Sequence, residues 1–239
     1  MAVTSQRGEL IVDNEVVDYQ WVRSRRRRHI HLVLDERDGL QIRTPWHTSI
    51  DEVESLIARQ TDWVRRALAL HEHRRTERTQ LVNGVRLPLI DDELELALGV
   101  GRRPRVSRRG NLLMVQVPEP QDELIRDALE RWYREQAKIL LAERLNSLAE
   151  QHGFSPGAVT IRGQRRRWGS CNSQGDINLN WRLMLLPSEL VDYVLLHELC
   201  HLEHMDHGHA FWGALRRRMP DYEARLAQVN AIRASDLQL

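Results

Sequence analysis

The stretch HELCHLEHMDHGHAFW, from His197 to Trp212, constrains this chain more tightly than any other. It carries five histidines within thirteen residues, at positions 197, 201, 204, 207 and 209. His197 and His201 are four apart, so a helix places them one above the other, about 40° apart in azimuth, where both reach one ion. His207 can join them only if the helix ends first. A continuous helix would carry it about 9 Å beyond His201, whereas zinc–imidazole bonds are about 2.1 Å long. Asp206 and Gly208 are suited to a turn at that place. The chain must therefore build a helix, break it, and fold back.

The residue types in this stretch point to metal chemistry. Two imidazoles at helical spacing hold Zn²⁺, and Glu198, adjacent but off the ligand line, is placed to take a proton from water. With His207 as third candidate ligand, one coordination position stays open, the mark of a catalytic rather than a structural zinc site. The bland alternative is a solvated helix rich in imidazole. The preceding LVDYVLL is apolar enough to be buried, and unpaired polar groups beside a buried segment are costly. His204 shares the helical stripe of His201 and is a candidate for orienting a ligand, stabilising an oxyanion or simply hydrogen bonding. His209 reads as first-turn helix or surface. Cys200 reads as a small core residue and Cys171 as packed rather than reactive.

The 239 residues suit one large domain or two small ones. Hydrophobic residues make up 41% and charged residues 29%, the balance of a globular protein rather than a disordered or membrane-embedded one. No apolar run approaches the roughly 20 residues of a spanning helix, and MAVTSQRGEL lacks the layout of a secretory signal, so the cytoplasm is the expected location. Two cysteines are too few for a disulfide scaffold. The net charge is +1, but the cations are almost all arginine and are bunched: Arg23 with 25–28, then Arg102, Arg103, Arg105, Arg108 and Arg109, then Arg165, Arg166 and Arg167. Each block is either a solvated surface or an attraction to phosphate or nucleic acid.

The expected fold class is α+β. ELIVD, VVDYQWV, HIHLVLD and LQIRTP alternate like strands, paired as hairpins, with a turn at Arg37, Asp38 and Gly39. Ser49 and Glu52 form a capping box for one helix running to about His71. RLPLI, LELAL and LLMVQV supply further strands before Pro118 and Pro120. A long helix follows from Gln121 to about Gln151, closed by Gly153. AVTIRGQ and INLNWRL are short strands, the second alternating Ile177, Leu179, Trp181 and Leu183 with polar residues, and Pro187 and Ser188 open the histidine helix. The expected division is a strand-rich part over residues 1–120 and a helical catalytic lobe with a short sheet over 121–239.

RRWGSCNSQGDINLNWRLMLLP followed by HELCHLEHMDHGHAFW resembles the YgjP-like metallopeptidase family, a relative of the SprT-like and Wss-like zinc proteins. RSRRRRHIHLVLDERDGLQIRTP and the Trp63 helix extend the likeness more loosely over most of the chain. The resemblance implies a zincin-like lobe with His197, His201 and His207 as zinc ligands and Glu198 as base, bordered by Arg167, Trp168, Gly169, Ser170 and Cys171. Asp206 and Gly208 stand where the family usually has Asn and Ser. The spacing of the three histidines equals that of metzincins, but their turn glycine would fall at His204, and this chain is not assigned to that group.

The expected function is zinc-dependent hydrolysis of a peptide bond. Zincins commonly pair an extended peptide with the strand beside the active-site helix, and INLNWRLML is the candidate strand. Arg167, Trp168, Ser170 and His204 are the candidate substrate or transition-state contacts. A second reading keeps the zinc but hydrolyses the phosphoanhydride of a nucleoside triphosphate held by Arg165, Arg166 and Arg167. A third is a nucleic-acid-associated module with structural zinc, against which Glu198 beside the ligands argues. No membrane partner is expected.

Overall fold

The computed structural model describes residues 3–12, 15–35, 39–77, 79–234 and 237. The chain divides into two compact units, Met1–Arg78 and Thr79–Leu239, each with its own apolar core. Both mix strands and helices.

In the first unit β1 (Val3–Val12) pairs antiparallel with β2 (Glu15–Ser24), and β3 (His31–Asp35) pairs antiparallel with β4 (Gly39–Pro45). β2 runs parallel to β4, joining the two pairs in the order β1-β2-β4-β3. Of the expected turn, Arg37 and Asp38 lie outside the described residues, and Gly39 opens β4 with φ at 68°, a backbone angle that favours glycine. Helix α1 (Ile50–Arg59) begins with the expected capping box: the Glu52 N–H donates to Ser49 Oγ at 3.2 Å and the Ser49 N–H to the Glu52 carboxylate at 2.8 Å. The single helix expected to His71 is instead two, because α2 (Thr61–Glu77) starts anew after Gln60. There the Gln60 N–H bonds the Ile57 carbonyl at 2.9 Å and the Thr61 hydroxyl donates to the Ala58 carbonyl at 3.0 Å. These tighter local bonds compete with the α-helical ladder. Val53, Ile57 and Val64 still reach one core with Tyr19, Trp21, Leu40 and Ile42. The apolar stripe persists across a break that hydrophobic spacing does not reveal.

The second unit opens with β5 (Arg86–Leu89), β6 (Asp92–Val100), β7 (Arg105–Arg109) and β8 (Leu112–Val117), in the order β5-β6-β8-β7. β7 was not anticipated: its sequence, RVSRR, offers one apolar residue, and as an edge strand it leaves Arg105 and Arg109 exposed. Helix α3 (Asp122–His152) buries Ile125, Leu129, Tyr133, Leu141 and Leu145 in the same core as Leu94, Leu96, Leu113 and Val115 of that sheet. The change from strands to helix near residue 120 thus falls inside the second unit. α3 stops at Gly153, whose φ of 73° lets the Phe154 N–H reach back to the Ala149 carbonyl at 2.8 Å.

A small sheet follows, β9 (Val159–Arg162), β10 (Gly169–Cys171) and β11 (Ile177–Asn180), in the order β10-β11-β9. It corrects the reading of INLNWRLML twice. First, the strand ends at Asn180 and Trp181–Leu185 is a 3-10 turn, because the Asn180 side chain accepts the Arg182 N–H at 3.1 Å. Second, β11 is the central strand, antiparallel to β10 and parallel to β9, so it has no free edge for a peptide. Helix α4 (Ser188–Cys200) then runs through the core and is tied to α3 by the Arg144–Asp192 ion pair. α5 (His209–Arg218) and α6 (Tyr222–Ala231) complete the unit.

Candidate metal centre

Helix α4 delivers His197 and Glu198 from its last turn and ends with His201 as its C-cap. Its apolar residues, among them Leu195, Leu196 and Leu199, are buried, which draws the polar pair into the interior. The chain turns over residues 202–208 and re-enters a helix at His209, with the Gly208 N–H bonded to Asp206 Oδ1 at 3.3 Å. That break returns His207 to His197: their Nε2 atoms lie 3.0 Å apart. One ligand atom from each of His197, His201 and His207 lies within 4.8 Å of the others. Three nitrogen donors converging in this way are the kind of set that holds one divalent ion.

Burial disfavours the charged form of two of the three rings. Burial pushes the His197 imidazole down to about 3, with His201 and His207 adding to the effect. His201 is lowered chiefly by burial as well. Its Nδ1 lies 3.0 Å from the His204 carbonyl, which assigns the proton to Nδ1 and the lone pair to Nε2. His204 therefore acts on the site through its backbone. Phe211, fully buried, packs its ring 4.9, 4.6 and 4.8 Å from the ring centres of His197, His201 and His207. Sequence reasoning missed this residue, although an aromatic pair two positions into the returning helix was a visible signal. His209 is exposed at the start of α5, as expected.

Glu198 is 5% exposed, and its Oε2 has no hydrogen-bond partner among the described residues. Burial raises its carboxyl to about 8, against the opposing pull of the Arg167 charge. Gly169 of β10 packs directly on it: a Cβ there would fall 2.5 to 2.8 Å from the Glu198 carboxyl group. Strand alternation sets Cys171 on the same face of β10 and Ser170 on the opposite one, where Ser170 Oγ accepts from Asn178 Nδ2 at 3.5 Å. Ser170 is thus not brought to the carboxylate. The Cys171 thiol is raised by burial and then by the Glu198 and Asp176 charges, and Cys200 is buried and pushed up to about 11. Trp168 is half-buried and Arg167 exposed at the entrance to β10.

The register of β10 fixes which of its groups are spoken for. Trp168 gives its carbonyl to the Asn180 N–H at 2.8 Å, and Asn172 gives its N–H to the Asp176 carbonyl at 3.0 Å. Since bonded and non-bonded pairs alternate, Ser170 bonds to Asn178, while Gly169 and Cys171 turn their N–H and C=O groups away from β11. Those four groups line the free edge.

A family model described as YgjP-like, metallopeptidase domain, matches residues 28–231. The chain belongs to the YgjP-like metallopeptidase family. Among solved structures, the crystal structure of the metallopeptidase zymogen of Pyrococcus abyssi abylysin is similar at 23% identity and a TM-score of 0.32, covering 37% of this chain and 93% of that one. The corresponding zymogen of Methanocaldococcus jannaschii jannalysin is similar at 20% identity and a TM-score of 0.32, covering 38% and 96%. No curated protein matches the chain. The family's description agrees with a donor set of three imidazoles beside a buried carboxylate. Among the described residues no helix is long and apolar enough to cross a membrane.

Proposed function

We propose that this YgjP-like chain is a zinc-dependent peptide hydrolase in which His197, His201 and His207 hold the ion and Glu198 is the general base. The observation that carries the reading is the convergence of three imidazoles beside a carboxylate oxygen that is buried and unpartnered. Three nitrogen donors and an open position suit zinc. A bound zinc ion would supply Lewis acidity toward a water molecule and a scissile carbonyl. Glu198 then takes the water's proton at Oε2 and returns it to the departing amine. Phe211 and the His204 carbonyl keep the rings in place while this happens.

The substrate lies extended along the free edge of β10, where Gly169 and Cys171 offer backbone partners next to Glu198. This favours a peptide over a nucleoside triphosphate, which has no backbone to pair there. A purely structural zinc is disfavoured too, because it gives no reason to bury Glu198 without a partner.

The test uses purified protein quantified for metal and incubated with an unfolded protein and a panel of nucleoside triphosphates. One zinc per chain is expected, lost in His197→Ala and His201→Ala. Glu198→Gln should keep the zinc while peptide turnover falls by roughly 10²-fold or more, the scale of a lost general base. Full zinc in both histidine variants, or normal turnover in Glu198→Gln, would sink the reading.

A further inference from the structure

Glu203 and Arg218 are 15 residues apart in the sequence and meet at one place in the fold. Glu203 stands in the turn between α4 and α5, where its N–H bonds the Cys200 carbonyl at 3.1 Å and the N–H of the next residue, His204, bonds the same carbonyl at 3.0 Å. Arg218 is the last residue of α5. Its guanidinium donates to both carboxylate oxygens, Nη1 to Oε2 at 3.0 Å and Nη2 to Oε1 at 2.6 Å, and Nη1 also reaches the Ala214 carbonyl at 3.3 Å. The guanidinium carbon lies 4.5 Å from the centre of the Phe154 ring, just past the glycine that ends α3. The arginine side chain, 18% exposed, is thus fixed from three directions, and its fork fixes the glutamate in turn. Arg216–Glu223, which starts from the same helix, differs: both side chains are more than half exposed and a single oxygen is engaged, the kind of pair that contributes little.

We propose that Glu203 and Arg218 are positioning residues of the metal centre: their ion pair latches the turn that carries His207 to the helix that carries Phe211. The inference rests on the reading of His197, His201 and His207 as metal ligands. The latch acts at two points. On the side of the turn, Glu203 precedes His204, whose carbonyl meets Nδ1 of His201. Releasing Glu203 loosens that carbonyl, and with it the orientation of the His201 ring. On the side of the helix, α5 begins at His209, just past His207, and sets Phe211 of its first turn against all three rings. A helix of 10 residues is about 15 Å long, so a bond at its far end governs the angle at which that first turn meets the site. A turn and helix held in place before the ion arrives have less freedom to lose on binding it, which raises affinity.

The experiment measures the zinc affinity of the full chain by competition with a chromophoric chelator, well below the melting temperature. Glu203→Gln and Arg218→Gln should each lower the affinity by about tenfold, the low end of what residues supporting a metal's ligands contribute. The double variant should bind no more weakly than either single variant, because the two halves of one latch cannot be lost twice. Arg216→Gln removes the same charge from the same helix and should keep the parental affinity. Tm with and without chelator separates positioning from general stability. A pair that only stabilised the fold would lower both values alike, whereas a latch on the site lowers the zinc-bound Tm more than the zinc-free one. Arg218→Lys keeps the charge without the fork and should bind zinc more weakly than the parent; it stands in for Arg218→Gln if that variant does not fold. Parental affinity in both Glu203→Gln and Arg218→Lys, losses that add in the double variant, or an equal loss in Arg216→Gln overturns the latch and leaves the metal reading standing. A parent chain that binds no zinc overturns the metal reading and the latch with it.

Discussion

Gly169 is the residue on which the placing of the Glu198 carboxyl, the proposed base, depends most directly. It needs no unusual backbone angle; what it supplies is the absence of a side chain where the Glu198 carboxyl lies. Gly169→Ala is therefore expected to displace Glu198 and lower turnover by roughly 10²-fold while zinc stays bound, the scale of an impaired general base. Metal analysis beside peptide kinetics checks both halves. Asp176 acts on the same hairpin from its other end. It accepts from the Ala158 N–H at 2.9 Å and from the Asn172 side chain at 3.1 Å, bonds that hold its carboxyl below the usual carboxylate range. A carboxyl whose folded pKa is depressed contributes stability above its unfolded pKa, about 3.9, and loses it as pH falls through the folded value. Asp176→Asn should thus lower the urea midpoint at pH 7, and the gap from the parent should close as pH drops below about 4. A gap that persists unchanged to pH 3 would mean that the charge is not what holds the turn.

At the scale of elements, the decisive feature is which strand owns the edge. The Cys171 N–H points away from β11, whereas the Ser170 N–H belongs to the ladder. Cys171→Pro removes only an edge donor and is expected to raise KM for peptides by about tenfold or less with zinc retained, the worth of one hydrogen bond. Ser170→Pro should unfold the hairpin and abolish the activity altogether. Equal effects of the two substitutions on KM and on Tm would remove β10 from the substrate site. The sequence disclosed β11 by its alternation and hid β10, because GSC has three residues and no apolar pattern. It could not reveal that β9 pairs with β11 from the far side, since parallel pairing leaves no local turn to read. The break at Gln60 was hidden for a related reason: hydrophobic period records which face is buried, not whether the ladder is continuous. The histidine helix was legible because spacing and bond length alone require it to end between His201 and His207.

The whole molecule carries two separate cores, one behind the first sheet and one shared by α3, α4 and both sheets of the second unit. The three clustered imidazoles proposed as metal ligands belong to the second. Calorimetry should resolve two transitions, and a chelator should lower only that of Thr79–Leu239. Metal at 100 times its Kd contributes about 2.7 kcal/mol, which for a unit of this size corresponds to a Tm shift of about 5–10 °C. A chelator that moves both transitions equally would show that the units unfold as one. The boundary itself was not visible in composition, because strands run on past residue 78 and only their packing against α3 assigns them to the second core.

The three clustered imidazoles, the buried Glu198 and the carbonyl that orients His201 all come from one uninterrupted run of the chain, residues 197–207. Closing so short a loop loses little chain entropy, so a nascent or refolding chain can capture its ion as soon as α4 and the following turn exist. The edge proposed for the substrate belongs to β10 and exists only once β10, β11 and β9 have paired. On the proposed function, a copy whose small sheet has not yet paired lacks the strand on which to lay a neighbour's backbone, even with its metal in place, and would leave the unfolded chains around it uncut.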